Sequence, residues 1–216
     1  MRAFVRGLSA VLLALSAFAC SAQDAQYTAG KEYKKVREML APADAKRISV
    51  EEFFWYGCPH CYALDPVISA WARKLPADAD FTRVPNTLGR AEGVLHAKAF
   101  YTAQALNVFD KLHPALFAAI HQQNMMLNDE AQIAGVFNRS TGLMPDVFGS
   151  TFNGFAVDAK YRKSEQLSKS YGVTSVPVVV VGGKYMTSAS MAGSNENLLK
   201  VVDFLVTKVR KERGGK

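Results

Sequence analysis

Apolar positions along this chain follow two periods, close to two in some stretches and close to 3.6 in others. Arg47 to Trp55 is rich in Ile, Val and Phe and predicts a strand, which passes through Gly57 into a helix beginning at Cys58. Pro66 is expected to kink that helix, which resumes with Val67, Ala70, Trp71 and Leu75 on one face before Pro76. Phe81 to Val84 predicts a second short strand. From Arg90 to Tyr171 the period is helical, carried by Val94, Ala97 and Tyr101, then Phe117 and Ile120, then Ile133, Val136 and Phe137. Breaks are expected at Asn124 to Asn128, Gly142 to Pro145 and Asn153-Gly154. The chain returns to strand at Val176 to Val181 and turns at Gly182-Gly183 into Lys184-Tyr185-Met186. It closes with an amphipathic helix, Ser194 as its N-cap and Leu198, Val201, Val202, Leu205 and Val209 as its buried stripe. This order predicts an α/β domain interrupted by an all-helical one.

With 216 residues, 49% of them hydrophobic, the chain can bury one core, or one core carrying a sizeable insertion. Residues 1–22 read as a secretory signal: Arg2 and Arg6 form the charged start, and Leu8 to Phe18 is apolar but too short to span a bilayer. Cleavage after Ala19 or after Ala22 fits, and the second also removes Cys20. Lipid anchoring at Cys20 is the weaker reading, because Ala17 and Phe18 match a lipoprotein cleavage box poorly. Loss of Arg2 and Arg6 lowers the formal charge from +7 to +5. The basic runs Lys31 to Arg37 and Lys208 to Lys216 carry no interleaved stacking aromatics and read as solvated faces, not as a nucleic-acid site.

The remaining cysteines, Cys58 and Cys61, flank Pro59 and His60. Two residues between thiols suit the first turn of a helix, where the first sulfur meets unpaired backbone N–H groups and the positive end of the dipole. Both favour the thiolate, and His60 can add to them, so Cys58 is the expected nucleophile and Cys61 the resolving thiol. Structural zinc shares this spacing but needs a second ligand pair, and His96, His113 and His121 stand at no ligand-like spacing. Haem attachment would need His where Tyr62 stands. A purely structural disulfide across two residues closes too short a loop to restrain the unfolded chain much. No metal and no cofactor beyond the Cys58-Cys61 disulfide is therefore expected.

Glu52-Phe53-Phe54 followed by Cys58-Pro59-His60-Cys61-Tyr62, with Gly172-Val173-Thr174-Ser175-Val176-Pro177 and then Gly183-Lys184-Tyr185, resembles the DsbA family of bacterial thiol:disulfide oxidoreductases. The resemblance runs from Ala25-Gln26-Tyr27 to the C-terminal helix and implies a thioredoxin-like fold interrupted by an inserted helical domain. On that basis residues 23–85 with 157–216 are expected to form the thioredoxin-like domain and 86–156 the insertion. The resemblance makes Val176-Pro177 a cis bond lining the substrate site and makes Glu52 a buried acid that handles the Cys61 proton; Tyr56 is expected at the same substrate surface. Strand alternation sends one of Glu51 and Glu52 inward and one to solvent, and spacing favours Glu52 as the inward one. Where the family often pairs this acid with a lysine, the chain has Arg83, which keeps its charge and puts a relay through a lysine in doubt.

The resemblance also implies a low thiolate pKa and an oxidising potential. The sign follows independently, because stabilising the thiolate favours the reduced form. The expected activity is that of a monomeric periplasmic oxidase in a Gram-negative bacterium. It would pass its disulfide to unfolded exported proteins with free thiols and be reoxidised by a DsbB-like quinone-linked membrane partner. The rivals are a reductase or isomerase, and a non-catalytic chaperone-like binder using the apolar surface around Trp55, Tyr56 and Pro177. Family isomerases carry an N-terminal dimerisation domain, and few residues precede the Arg47 strand here.

Overall fold

The computed structural model describes residues 26–41 and 44–214. The signal segment, Cys20 and both cleavage sites lie outside the described residues. The strands are β1 (Lys34–Lys35), β2 (Ile48–Phe54), β3 (Ala79–Pro85), β4 (Val178–Val181) and β5 (Tyr185–Thr187). They form one sheet in the order β1-β5-β4-β2-β3, with β2 parallel to β3 and the other pairs antiparallel. Helix α1 (Pro59–Ala72) makes the crossover from β2 to β3. Helices α2 (Ala91–Ala105), α3 (Phe109–His121), α4 (Glu130–Thr141), α5 (Pro145–Phe152) and α6 (Phe155–Tyr171) intervene before β4. The short α7 (Ala189–Ala192) and the long α8 (Asn195–Glu212) end the chain. The fold is thioredoxin-like α/β with a helical insertion.

Strand alternation distributes the core. On β2, Ile48 and Val50 face α1 and α8, where Leu64, Ile68, Leu198, Val201, Val202, Leu205 and Val209 meet Val179 and Val181 of β4. Phe53 faces the opposite side with Val84, Val178, Val180 and Tyr171. Phe54 reaches a third cluster in the insertion, containing Phe100, Leu112, Leu116, Phe117, Phe137 and Phe148. A sheet covered on both faces explains why β4 is valine throughout, why Glu52 is sealed and why Glu51 is only partly exposed. Glu52 is 1% exposed, and Glu51 is half-buried beside Tyr171 on the other face. The outward acid, Glu51, therefore meets solvent only in part, and the inward one is Glu52 as expected.

Several boundaries also differ from the sequence reading. Helix α1 runs uninterrupted across Pro66, and its fully buried positions are Cys61, Leu64 and Ile68; Val67, Trp71 and Leu75 flank them half-buried. The insertion has an extra break at residues 106–108, where Asn107 adopts φ 55°. Asparagine reaches the left-handed region with little penalty, so no glycine or proline marks the turn. Part of the basic run at Lys31 to Arg37 is strand β1, both of whose lysines remain exposed. Other expectations match: Ser194 Oγ accepts from Asn197 N at 3.0 Å and caps α8. Gly182 and Gly183, at φ 61° and 64°, make the tight β4–β5 turn, and a Cβ on Gly182 would stand 2.7 Å from Val209 Cγ1.

Candidate active site

The end of β2 aims the segment Trp55-Tyr56-Gly57 at the start of α1. Cys58 takes the N-cap position in extended geometry, and Pro59 opens the helix at a position where its missing N–H costs nothing. Cys58 is 7% exposed and Cys61, one turn in, is 0% exposed; both are free thiols. Opposite them the Val176–Pro177 bond is cis, and the Val176 carbonyl accepts from Cys58 Sγ at 3.6 Å. Val176 is half-buried and Pro177 buried.

These positions drive the two sulfurs apart electrostatically. The Cys61 thiol donates to the Cys58 sulfur, the backbone N–H groups of Cys61 and His60 point to it, and His60 adds a smaller Coulombic effect. Together they outweigh desolvation and lower Cys58 to about 6. Burial pushes Cys61 far upward, and its hydrogen bond to Cys58 and the nearby Glu52 push in the same direction. His60 itself is exposed on the first turn.

Beneath α1 lies a buried polar cluster that the sequence reading caught only at Glu52 and Arg83. Desolvation raises Glu52 to about 7 against the attraction of Arg83. Arg83 Nε stands 3.2 Å from Glu52 Oε2 without hydrogen-bond alignment, while its Nη2 donates to Asp65 Oδ1 at 2.8 Å and Ser69 Oγ at 2.6 Å. His113 of α3 completes the group through Nε2, 3.0 Å from the same Asp65 oxygen, and Nδ1, 2.8 Å from the Tyr56 hydroxyl. An ionised carboxylate only accepts, so Nε2 carries the proton and Nδ1 accepts from Tyr56. Burial lowers His113, which fits this neutral tautomer; against the cost of Asp65's own desolvation, His113 and Arg83 hold Asp65 below its usual range. Asp65, Ser69, Arg83 and His113 also line a cleft of about 710 Å³, which connects the cluster to solvent.

The three histidines weighed as zinc ligands therefore serve as hooks from the insertion onto the active-site segment. His96 stacks beside Trp55 with ring centroids 6.0 Å apart and reaches the Leu127 carbonyl through Nε2. His121 Nε2 donates to the Tyr56 carbonyl at 2.8 Å, and its ring stacks on Tyr62 at 4.7 Å. His113, Phe117 and His121 recur every four residues, so they share one face of α3. That spacing was the available signal. No group of three or more His, Cys, Asp or Glu is arranged to hold a metal ion among the described residues. Tyr56, expected at the substrate surface, is 1% exposed with its hydroxyl committed to His113, and that placement is corrected. The ring that flanks the nucleophile is Trp55, so close over Gly57 that a Cβ there would lie 2.3 Å from it.

Comparison with known proteins follows this geometry. The DSBA-like thioredoxin domain family matches residues 68–200. The thiol:disulfide interchange protein DsbA of Pseudomonas aeruginosa is 40% identical over 203 residues, covering 94% of this chain and 95% of that one. The protein of the same name from Pseudomonas syringae pv. tomato is 40% identical, covering 94% of each. A crystal structure of P. aeruginosa DsbA superposes with a TM-score of 0.82 at 38% identity, over 89% of this chain and 98% of that one. The DsbA oxidoreductase of Xylella fastidiosa gives 0.77 at 29% identity, over 86% of this chain and 98% of that one.

Proposed function

This chain belongs to the DsbA family of thiol:disulfide oxidoreductases, and from that premise we propose how its residues pass a disulfide to exported proteins in the periplasm. A client thiolate attacks Cys58 Sγ of the Cys58-Cys61 disulfide. The S–S bond breaks, a client–Cys58 mixed disulfide forms, and Cys61 leaves with the electron pair. A second client thiolate then attacks the client sulfur and expels Cys58, so two client thiols are oxidised and the protein's disulfide is reduced. Cys58 leaves readily because its thiolate is held by the Cys61 thiol and two backbone N–H groups. Cys61 cannot stay ionised where it is buried, and Glu52, near 7, is the group poised to give it a proton and take it back on reoxidation.

The observation that carries this reading is the contrast between Cys58, at the rim against the Val176 carbonyl, and Cys61, sealed one turn below. The chemistry needs only the protein's own cysteines. A DsbB-like quinone-linked membrane protein is the proposed oxidant that restores the disulfide, and residues 1–22 are the proposed export signal. We divide the chain as 23–85 with 157–216 around an insertion at 86–156. Equilibration with glutathione tests the direction of the chemistry. A potential clearly above the range of about −180 to −230 mV shared by isomerases and glutaredoxins supports the oxidase, and one near thioredoxin's value of about −270 mV replaces it with a reductase.

A further inference from the structure

Beside the nucleophile, outside the cluster under α1, a groove of about 600 Å³ runs between the end of α6, the β3–α2 connection and the loop leading to the cis bond. Arg37, Arg90 and Lys169 line it, all exposed, and Arg37 Nη1 donates to the Lys169 carbonyl at 3.2 Å. Its one carboxylate, Glu165, is already committed, accepting from Thr87 N at 3.1 Å and Thr87 Oγ1 at 2.9 Å. Arg37 and Lys169 have no ion-pair partner among the described residues, and Arg90 has only an exposed contact with Glu92 at 3.7 Å. Ser168 also lines the groove; it is 5% exposed, and its Oγ has no hydrogen-bond partner. A buried hydroxyl without a partner is costly unless something that enters the groove satisfies it.

Two short routes through neighbouring residues link the groove lining to the reacting sulfur. Arg90 lies over the Trp55 ring, 5.3 Å from its centroid, and that ring covers Gly57 next to Cys58. Val173 and Thr174 line the groove three and two residues before Val176, whose carbonyl meets Cys58 Sγ. An extended polypeptide advances about 3.3 Å per residue, so a side chain two to four positions from a client cysteine bonded to Cys58 reaches roughly 7–13 Å along it. We infer that this groove is a client subsite that selects an acidic residue a few positions from the reacting cysteine, seating its carboxylate among Arg90, Lys169 and Arg37 with Ser168 Oγ as an added donor. The inference rests on the oxidase reading and gives it a substrate preference.

Reduced two-cysteine peptides that differ at one position, carrying Glu, Gln or Lys three residues before or after the reacting cysteine, test it against the oxidised full-length protein. The second-order rate of disulfide transfer is read by acid quenching and mass spectrometry. On one of the two sides the Glu peptide is expected to react about 3- to 10-fold faster than the Gln peptide, and the Lys peptide more slowly, with the preference shrinking at about 0.5 M salt. The Glu/Gln ratio is expected to fall toward one in Arg90→Gln/Lys169→Gln and to drop below one in Arg90→Glu/Lys169→Glu. Ser168→Ala is expected to lower it in part. Lys200→Glu/Lys211→Glu, on the exposed side of α8, keeps it. Equal rates for Glu and Gln at both positions overturn the subsite, as does a ratio lowered as much by the α8 pair as by the groove pair, which would make the preference one of net charge. Failure to oxidise even the Gln peptide would instead overturn the oxidase reading.

Discussion

The two ends of the first turn of α1 lie side by side yet are built on opposite principles. At the rim, Cys58 is surrounded by donors and open to a partner: the Cys61 thiol, two backbone N–H groups and the exposed His60. Beneath, Cys61 is enclosed by aromatic rings from the insertion and stands over a buried acid held by an arginine that is shared with Asp65. The rim stabilises a negative sulfur, and the floor forbids one. The difference teaches that direction in this chemistry comes from making one thiol a good leaving group and the other a poor anion.

The strongest way to break the comparison is to measure both thiols in one molecule. In the reduced protein, brief iodoacetamide treatment at pH 7 is expected to label Cys58 at least about 1,000-fold faster than Cys61, since reactivity follows the thiolate fraction and access. The rate at Cys58 is expected to rise through a midpoint of about 6. Peptide mapping reads both. Dominant labelling at Cys61 would reverse the roles of the two cysteines, and a Cys58 midpoint near 9 would remove the donor argument. Cys61→Ala has no internal disulfide to donate; its Cys58 thiolate attacks an existing client disulfide and expels one client thiolate, and with no Cys61 thiol to resolve the product, clients are expected to accumulate on Cys58 as thiol-sensitive adducts on non-reducing gels.

Much of this arrangement was legible in the sequence, and the illegible part has a physical reason. The strand-to-helix junction at Cys58, the capped α8 and the β4–β5 turn are local, and local patterns encode them. Glu52 could be placed because alternation left only Glu51 or Glu52, and the resemblance, with its acid six residues before the first cysteine, chose the second. The floor of the site was hidden because it is assembled from distant segments: Tyr56, Asp65, Arg83 and His113 meet only when α3 docks beside α1. For the same reason Tyr56 was misplaced. A tyrosine two residues after Phe53-Phe54 reads equally well as a surface or as core, and only the His113 partner, 57 positions away, makes its burial affordable.

The floor itself is sharpened by His113. His113→Ala leaves the Tyr56 hydroxyl without an acceptor and strips one partner from a half-buried Asp65, and it is expected to cost about 2–4 kcal/mol of stability. Denaturant midpoints measure the loss, and Tyr56→Phe/His113→Leu, which removes both polar ends of one contact, is expected to recover part of it. If His113→Ala costs nothing, the hydrogen bonds to the insertion do not hold the floor together.

A smaller effect separates the acid from its scaffold. Glu52 is raised from 4.5 to about 7 by burial, so the folded protein resists ionising it. The corresponding stability is complete below pH 4.5 and is lost as pH rises through 7. Glu52→Gln does not titrate, and it is expected to exceed the wild type by about 1–3 kcal/mol at pH 8 and to show no advantage at pH 4. The same variant is expected to slow disulfide transfer on the order of 10-fold, with the pH dependence near 7 removed, because the buried acid whose charge acts on Cys61 can no longer give it a proton. Unaltered kinetics would confine Glu52 to a structural role and leave the floor without a proton-handling group.

The smallest change tests the rim. His60 is the weakest of the influences on Cys58, since the Cys61 thiol and two backbone N–H groups remain when its side chain is removed. At neutral pH, lowering Cys58 from 9.0 to about 6 stabilises the reduced protein by about 1 kcal/mol once solvent screening is allowed for, equivalent to about 20–30 mV. His60→Ala removes only the smallest part of that and is expected to lower the reduction potential by less than about 10 mV, with the folded structure unchanged. The sign extends to stability. A depressed thiol pKa stabilises the reduced form fully above pH 9, and the contribution disappears as pH falls through 6, so the advantage of the reduced over the oxidised protein in denaturant midpoints is expected to narrow over that interval. The interval is expected to narrow in His60→Ala as well. A loss of much more than 30 mV in that variant would mean that the exposed ring, and not the helix terminus with its buried partner thiol, dominates the stabilisation of the Cys58 thiolate.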